Sequence, residues 1–205
     1  METLNTIFEK IYCINLDRRP EKYIQYLDEA KKHNITGTIR YPAIDGANIT
    51  NFTSGKINNG ELGCLLSHLN ILNEIVANNY QRTLILEDDV EFHDNLNSLF
   101  SEYIQQPPPN WDMLYLGGSH HGKNVEFTKN VHRIYQTYTT SSYAITLEAA
   151  KKLIPMVKKA NIQVDVIYSD FQKTNNCYAF MPPLAWQRTG YSDIQNMWCE
   201  YKQLK

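Results

Sequence analysis

Hydrophobic and polar positions along this chain predict strands and helices in alternation. The apolar runs at 11–16, 83–86 and 111–116 are short and rich in β-branched or large side chains, which predicts buried strands. Between residues 60 and 79 the apolar positions recur every three to four residues, which predicts a long helix. The run at 11–16 is followed by a polar turn and then a helical pattern, which is a β-then-α unit.

The same patterns predict the remaining elements. We expect helices over 21–32, 95–104, 147–154 and 165–173, with Pro155 ending or kinking the third of these. We expect extended segments over 38–44, 132–138, 142–145 and 177–181, a polar loop over 48–59, and no regular element in the tail after Gln187. Alternating strands and helices predict an α/β fold with a mostly parallel central sheet covered by helices on both faces.

Composition limits the size and class of the protein. A chain of 205 residues with 42% hydrophobic content can bury one sizeable core and is short for two, so we expect one domain over 1–205. Twenty Lys and Arg against twenty-two Asp and Glu give a net charge of -2, which argues against nucleic acid or an anionic membrane as partner. No signal-peptide pattern or transmembrane run occurs, so we expect a soluble, cytoplasmic protein.

Cysteine spacing excludes two further classes. The four cysteines are far apart and form no C-x-x-C pair, which fits neither a zinc ribbon nor a dense disulfide framework. We therefore expect buried free thiols at Cys13, Cys64, Cys177 and Cys199.

Polar and acidic residues follow three predicted strands. They are the segment 15–18 (NLDR), the segment 43–46 (AIDG) and the triplet 87–89 (EDD). In an open α/β sheet, ligands bind beyond the carboxyl ends of the strands, where these residues would meet. Carboxylates at such an edge suit Mg²⁺ or Mn²⁺, which prefer oxygen ligands and often bind substrate phosphates as well. The pattern predicts a divalent cation that binds a nucleotide diphosphate.

The triplet has two readings. It can cap a helix and solvate a turn, as acidic residues at strand ends often do. Three adjacent carboxylates repel one another, however, and are costly without a neutralising partner. We take Asp89 as the direct metal ligand. Glu87, two positions earlier and on the same face of the chain, would hold a metal-bound water or the hydroxyl groups of a sugar.

Other polar residues are weaker candidates. His68, next to Ser67 in the 60–79 helix, is either a hydrogen-bonded structural residue or part of a site. His120 and His121 form a metal pair or line a mobile loop.

Six ordered segments resemble glycosyltransferase family 25, the group that includes lipooligosaccharide and collagen hydroxylysine galactosyltransferases. They are 11–20 (IYCINLDRRP), 43–46 (AIDG), 60–68 (GELGCLLSH), 84–90 (LILEDDV), 111–117 (WDMLYLG) and 142–145 (SYAI). The resemblance covers about residues 10–190 and leaves an irregular tail. It implies a GT-A fold, a UDP-sugar donor, dependence on Mn²⁺ or Mg²⁺, and inversion at the anomeric carbon.

The resemblance also implies roles for particular residues. Those expected to contact or border the UDP-sugar are Asn15, Leu16, Asp17, Arg18, Ala43, Asp45, Ser67, His68, Glu87 and Asp88. Glu87 and Asp89 would flank the sugar and the metal. Arg18 would help the metal stabilise the charge that develops on the leaving diphosphate.

An inverting transfer needs a general base on the acceptor side. Asp165 is the first candidate and Asp170 the second, with surface solvation as the alternative for both. Asp193, in the Ser-Asp-Ile segment that resembles the end of family members, and Gln187 are further candidate site residues.

The predicted activity is transfer of a hexose from a UDP-sugar to a hydroxyl group. Galactose is the first choice, followed by glucose and N-acetylglucosamine, and the acceptor would be a glycan or a collagen-like protein. Two alternatives stay open. A metal-dependent phosphohydrolase or nuclease would use the same carboxylates on a phosphate ester, and a catalytically inactive module would bind the UDP-sugar without turnover.

Overall fold

The computed structural model describes residues 1–50 and 56–201. The helices are α1 Leu4–Ile7, α2 Pro20–Lys32, α3 Asn59–Asn78, α4 Leu96–Tyr103, α5 Leu147–Lys159 and α6 Val164–Gln172. The strands are β1 Lys10–Asn15, β2 Ile39–Pro42, β3 Arg82–Glu87, β4 Val90–Phe92, β5 Met113–Tyr115, β6 Val125–Thr128, β7 Val131–Arg133, β8 Ser142–Thr146, β9 Cys177–Phe180, β10 Ala185–Gln187, β11 Gly190–Ser192 and β12 Met197–Cys199. The polar loop expected at 48–59 lies partly outside the described residues.

Eight of these strands form the main sheet, in the order β2-β1-β3-β8-β5-β9-β7-β6. Strand β1 pairs in parallel with both β2 and β3, and β5 pairs in parallel with β9. Strands β8 and β7 run antiparallel to their neighbours. Because only these two strands are reversed, the predicted α/β class with a mostly parallel sheet is confirmed.

Helices cover both faces of the sheet, as expected. Side chains alternate along β3, so that Ile85 faces one hydrophobic cluster while Leu84 and Leu86 face the other. Helices α3, α5 and α6 pack on the Ile85 side, and α1, α2 and α4 pack on the opposite side. Burying each large apolar side chain contributes roughly 1.5–3 kcal/mol, so the two clusters together hold the sheet between its helices.

The start of α3 is positioned by a capping box and by a close contact. The Asn58 side chain accepts from the Glu61 N–H at 2.8 Å, and the Glu61 carboxylate accepts from the Asn58 N–H at 2.7 Å. A Cβ atom at Gly63 would lie only 2.4 Å from the Ile44 carbonyl oxygen. Glycine therefore lets α3 approach the segment that follows β2, and Ser67 Oγ accepts from the Ile44 N–H at 2.8 Å.

Several sequence expectations were wrong. Pro155 does not end the helix, since α5 continues to Lys159. Leu153 and Val157 on either side of the proline are buried in the core and offset the lost hydrogen bond. The strand expected over 132–138 is only Val131–Arg133. The tail after Gln187 is not irregular, since β11 and β12 form an antiparallel hairpin. The β4–β10 pair joins segments about 95 positions apart, which local periodicity cannot reveal.

Two further findings concern the whole described chain. All four cysteines are free thiols, as expected, and Cys64 is half-buried while the other three are buried. No helix within residues 1–50 and 56–201 has the length and apolar character needed to cross a bilayer.

Candidate functional site

A cavity of about 540 Å³ opens beyond the carboxyl ends of β1, β2 and β3. The three strands are adjacent and parallel, so the polar segments that follow them meet at one edge of the sheet. The predicted site residues that line this cavity are Asn15, Leu16, Arg18, Ala43, Asp45, Ser67, His68, Glu87, Asp88, Asp89, Gln187 and Asp193.

Two predicted site residues lie elsewhere. The Asp17 side chain is 76% exposed, forms an ion pair with Arg40 at 2.7 Å and does not line this cavity. Asp170 is 54% exposed and is paired with Lys173 at 2.6 Å. Five positions along a helix turn a side chain through about 500°, so Asp170 lies about 140° around α6 from Asp165.

Asp165, at the start of α6, lines a second cavity of about 340 Å³. This cavity shares Cys64, Glu87 and Gln187 with the first, so the two cavities adjoin. Burial raises the pKa of Asp165 above its ordinary value, although the Val166 N–H donates to its carboxylate. A carboxylate of raised pKa is a better proton acceptor, which suits a general base.

The adjacent histidines do not act as a metal pair. His120 Nδ1 lies 2.8 Å from Thr137 Oγ1, whereas His121 Nε2 lies 2.9 Å from Ser119 Oγ. Burial lowers the pKa of His120 to about 4, so it stays neutral at physiological pH. Neither residue lines the two adjoining cavities.

Glu87 is held by two side chains. Its Oε1 accepts from Thr140 Oγ1 at 2.6 Å and lies 3.5 Å from His68 Nε2. The other ring nitrogen of His68 lies 2.8 Å from the Tyr143 hydroxyl, which fixes the orientation of the imidazole. Burial would raise the pKa of Glu87, but the hydrogen bonds from His68 and Thr140 lower it below its ordinary value. Glu87 is therefore the member of the triplet that ionises most readily.

Asp88 has a single partner among the side chains of the cavity. Its Oδ2 accepts from Asn15 Nδ2 at 2.6 Å, and burial raises its pKa to about 6 despite this hydrogen bond. The Asn15 side chain is itself buried and fully used. Its Nδ2 also donates to the Arg19 carbonyl, and its Oδ1 accepts from Arg40. In this structure Asn15 therefore positions Asp88.

Only one of the two carboxylate oxygens of Asp89 has a hydrogen-bond partner in the described part of the chain. Its Oδ2 accepts from Gln187 Nε2 at 2.9 Å, whereas its buried Oδ1 has no hydrogen-bond partner within the described part of the chain. Burial, followed by the negative charges of Glu87 and Asp88, raises the pKa of Asp89 to about 7. A buried carboxylate oxygen without a partner is costly, and a hard divalent cation would satisfy it. The residues present therefore fit the metal that the sequence implies.

A cluster of three cations binds one aspartate that lines the cavity. Asp193 accepts from Arg18 and Arg19 at 2.7 Å each and from Lys22 at 2.9 Å. Arg18 also pairs with Asp45 at 2.7 Å. Partial burial would raise the pKa of Asp193, but the hydrogen bonds from Lys22 and Arg18 and the surrounding positive charge lower it to about 2. We call these four residues, Arg18, Arg19, Lys22 and Asp193, the aspartate clasp.

The sequence analysis missed Arg19 and Lys22. A signal was present, because two arginines and a lysine lie within or just before the first turn of α2. Positive charge is unfavourable at a helix N-terminus, so cations there indicate an anionic partner from elsewhere in the chain or from a ligand.

The sequence matches known proteins over most of its length. A profile described as "Glycosyltransferase family 25 (LPS biosynthesis protein)" matches residues 8–168. Procollagen lysyl hydroxylase and glycosyltransferase of Acanthamoeba polyphaga mimivirus is 30% identical, over 87% of this chain and 25% of that protein.

Two mammalian proteins are also similar. Procollagen galactosyltransferase 2 of Mus musculus is 28% identical over 72% of the chain and 27% of that protein. Inactive glycosyltransferase 25 family member 3 of Homo sapiens is 28% identical over 72% of the chain and 29% of that protein. The chain thus spans only about a quarter of the length of these relatives.

Solved structures are more distant. A mutant of Drosophila β-1,4-galactosyltransferase 7, in complex with manganese, UDP-Gal and xylobiose, gives a TM-score of 0.48 at 10% identity, covering 95% of this chain and 77% of that one. This TM-score is below 0.5, so the assignment of the chain to a family rests on the sequence matches alone.

Replacing Asp193 tests the aspartate clasp. We expect Asp193→Asn to lower the free energy of unfolding by about 1–2 kcal/mol at pH 7, a value reduced for the solvent exposure of Arg18. Because the pKa of Asp193 is lowered on folding, its contribution to stability is present above about pH 4 and is lost as the pH falls toward 2. The difference in free energy of unfolding between the two proteins should therefore be roughly half as large at pH 3 as at pH 7. Urea unfolding of both proteins at pH 7 and pH 3 measures this.

An Asp28→Asn variant, altered at an exposed position of α2, is the control and should match the wild type at both pH values. Equal stability of the wild type and Asp193→Asn at pH 7 would show that the clasp does not stabilise the fold.

Proposed function

The chain belongs to glycosyltransferase family 25, and from this we propose that it transfers a hexose from a UDP-sugar to a hydroxyl group of an acceptor. The observation that supports the proposal most is the unpartnered, buried Oδ1 of Asp89 in a cavity that also contains Arg18 and Lys22. This combination suits a diphosphate bound through a divalent cation. Galactose is the first choice of sugar, since a similar protein is named a procollagen galactosyltransferase, with glucose and N-acetylglucosamine next.

Charge in the cavity supports a need for metal. The lining contains two cations, Arg18 and Lys22, against five carboxylates, namely Asp45, Glu87, Asp88, Asp89 and Asp193. With all of them ionised the lining carries a surplus of negative charge, which would repel a nucleotide diphosphate. A divalent cation at Asp89 and Glu87 would reverse this local repulsion, and Mn²⁺ or Mg²⁺ is suited to such oxygen ligands.

Within this proposal the protein residues have separate tasks. Asn15 positions Asp88, and Gln187 positions Asp89, so that the triplet keeps a fixed geometry. His68 and Thr140 keep Glu87 ionised. Arg18 and Lys22 would stabilise the negative charge that develops on the diphosphate as the bond to the sugar breaks. The bound cation would supply Lewis-acid stabilisation of the same leaving group.

Asp165 is the proposed general base. It lines the cavity that adjoins the donor cavity at Glu87, so an acceptor in this second cavity would meet the sugar near the shared wall. Asp165 would take the proton of the acceptor hydroxyl while the hydroxyl oxygen forms its bond to the anomeric carbon. The electron pair of the broken bond would leave on the UDP. Attack from the side opposite to the leaving group gives inversion, as the family resemblance implies.

A binding module without turnover is the second candidate, because some similar proteins are named inactive members of the same family. Such a module would keep the donor cavity and the clasp and would bind UDP. It would release no UDP from any donor. Turnover therefore separates the two functions.

Metal-dependent turnover is the first prediction of the proposed function. We expect the protein with Mn²⁺ to release UDP slowly from at least one of UDP-Gal, UDP-Glc and UDP-GlcNAc, and to lose this activity with chelator. Asp89→Asn should reduce the rate by about 100-fold, because the cation loses its main ligand. A coupled UDP-release assay measures both effects.

Asp28→Asn, exposed and distant in sequence from the triplet, should keep the wild-type rate. Turnover that needs no metal, or an Asp89→Asn rate equal to that of the wild type, would contradict the metal assignment. No turnover with any donor would favour the binding module.

The proposed general base is tested by comparing variants of two aspartates on α6, Asp165 and Asp170. Asp165→Asn should lower kcat for transfer to an acceptor by about 100-fold or more, since a positioned base contributes that much, while the Kd for UDP and Mn²⁺ stays unchanged. Asp170→Asn is the matched control, because this residue lies on the same helix but faces solvent, and it should behave as the wild type. Full transfer activity in Asp165→Asn would remove Asp165 from the mechanism.

A further inference from the structure

Three side chains of types that can bind a metal ion lie together where the two cavities adjoin. Cys64 and His68 are four positions apart on α3 and so lie on the same face of that helix, and Glu87 ends β3. One ligand atom from each, a sulfur, a ring nitrogen and a carboxylate oxygen, lies within 4.8 Å of the other two. Cys64 and Glu87 line both cavities, so the cluster is open to solvent-filled space.

The distances are close to those of a tetrahedral site. With bond lengths of about 2.0–2.3 Å, the ligands of a tetrahedral zinc ion lie roughly 3.3–3.7 Å from one another. His68 Nε2 and Glu87 Oε1 are already 3.5 Å apart. The Cys64 sulfur lies within 4.8 Å of the other two ligand atoms, so these distances must shorten on binding.

The surroundings hold the imidazole in a ligating orientation. His68 is almost fully buried, and its Nδ1 lies 2.8 Å from the Tyr143 hydroxyl, which in turn lies 3.1 Å from the Tyr168 hydroxyl. A hydrogen bond at one ring nitrogen fixes the tautomer and directs the other nitrogen to the metal. The ring of His68 therefore already directs Nε2 toward Glu87, and metal binding there needs the ring proton at Nδ1.

We propose that Cys64, His68 and Glu87 bind a thiophilic divalent cation, Zn²⁺ in the first place, with a fourth position open toward the cavities. The ligand set differs from that of the Asp89 site, because sulfur and imidazole favour Zn²⁺ and Co²⁺ whereas carboxylates alone favour Mn²⁺ and Mg²⁺. On binding, the Cys64 thiol releases its proton to solvent. The Glu87 carboxylate exchanges its contact with His68 for the cation. The ring proton of His68 that faced Glu87 is lost from Nε2, and the neutral imidazole keeps one proton at Nδ1, which then donates to the Tyr143 hydroxyl while Nε2 binds the cation.

One consequence concerns the transfer reaction. Glu87 belongs to both sites, so a cation held by Cys64 and His68 would withdraw it from the donor site. Zn²⁺ should therefore inhibit turnover. This consequence rests on the proposed function, whereas the binding of the cation does not.

Cobalt titration tests the binding directly. The metal-free protein, titrated with Co²⁺, should develop a thiolate-to-cobalt charge-transfer band that saturates at one equivalent of Co²⁺. Added Zn²⁺ should displace the Co²⁺ and remove the band. Cys64→Ser and Cys64→Ala should each abolish the band, because no sulfur ligand is left. Cys199→Ser, altered at a cysteine that lines neither cavity, and Asp89→Asn, altered at the oxygen site, should both retain it.

The absence of a band in the wild-type protein would overturn the proposal without the need for any variant. A band that persists in either Cys64 variant, with its fold verified by circular dichroism, would overturn it as well.

A second arm separates this proposal from the proposed function. At a fixed Mn²⁺ concentration, Cys64→Ser should need about 10-fold more Zn²⁺ than the wild type for half-inhibition of UDP release. Equal sensitivity of the two proteins would contradict the link between the two sites. A cobalt band in a protein that shows no turnover with any donor would sustain the metal site while removing the transferase activity.

Discussion

Burial of three consecutive carboxylates is the constraint on which the arrangement of this molecule depends. Glu87 is the last residue of β3, and Asp88 and Asp89 follow it. The four residues of β3 before Glu87 are buried, on both faces of the sheet. The mutual repulsion of the three carboxylates and their partial removal from water have to be offset by partners from the rest of the chain. Those partners come from four places: His68 on α3, Thr140 before β8, Asn15 at the end of β1 and Gln187 on β10. Asp89 Oδ1 is a buried oxygen of the triplet that has no such partner in the described chain, and it defines the proposed metal position.

The aspartate clasp is the second electrostatic element of the cavity. Arg18, Arg19 and Lys22 lie at the N-terminal end of α2, where their charges oppose the helix dipole, and Asp193 from the C-terminal hairpin segment offsets them. The clasp joins an early and a late part of the sequence across the cavity. A donor diphosphate would therefore enter a site whose cations already share one carboxylate, with the divalent cation as the remaining source of positive charge.

The sequence predicted the central features of this site, because they depend on local pattern. Apolar runs ending in polar residues identified β1 and β3, and the resulting edge of the sheet brought together Arg18, Asp45 and the acidic triplet. What it could not provide were long-range contacts. The task of Asn15 depends on Asp88, 73 positions away, and the clasp spans about 175 positions. The exposure of Asp170 and its pairing with Lys173 depend on which face of α6 packs on the core, and the C-terminal hairpin was missed because its strands are three residues long.

The central claim is that the acidic triplet binds a nucleotide diphosphate only through a divalent cation. Calorimetric titration of UDP into the protein, with and without Mn²⁺, tests it most directly. The account predicts saturable binding in the presence of Mn²⁺ and a loss of affinity of about 100-fold or more in chelator, since the carboxylates would then repel the diphosphate. Equal affinity for UDP with and without the cation would contradict it.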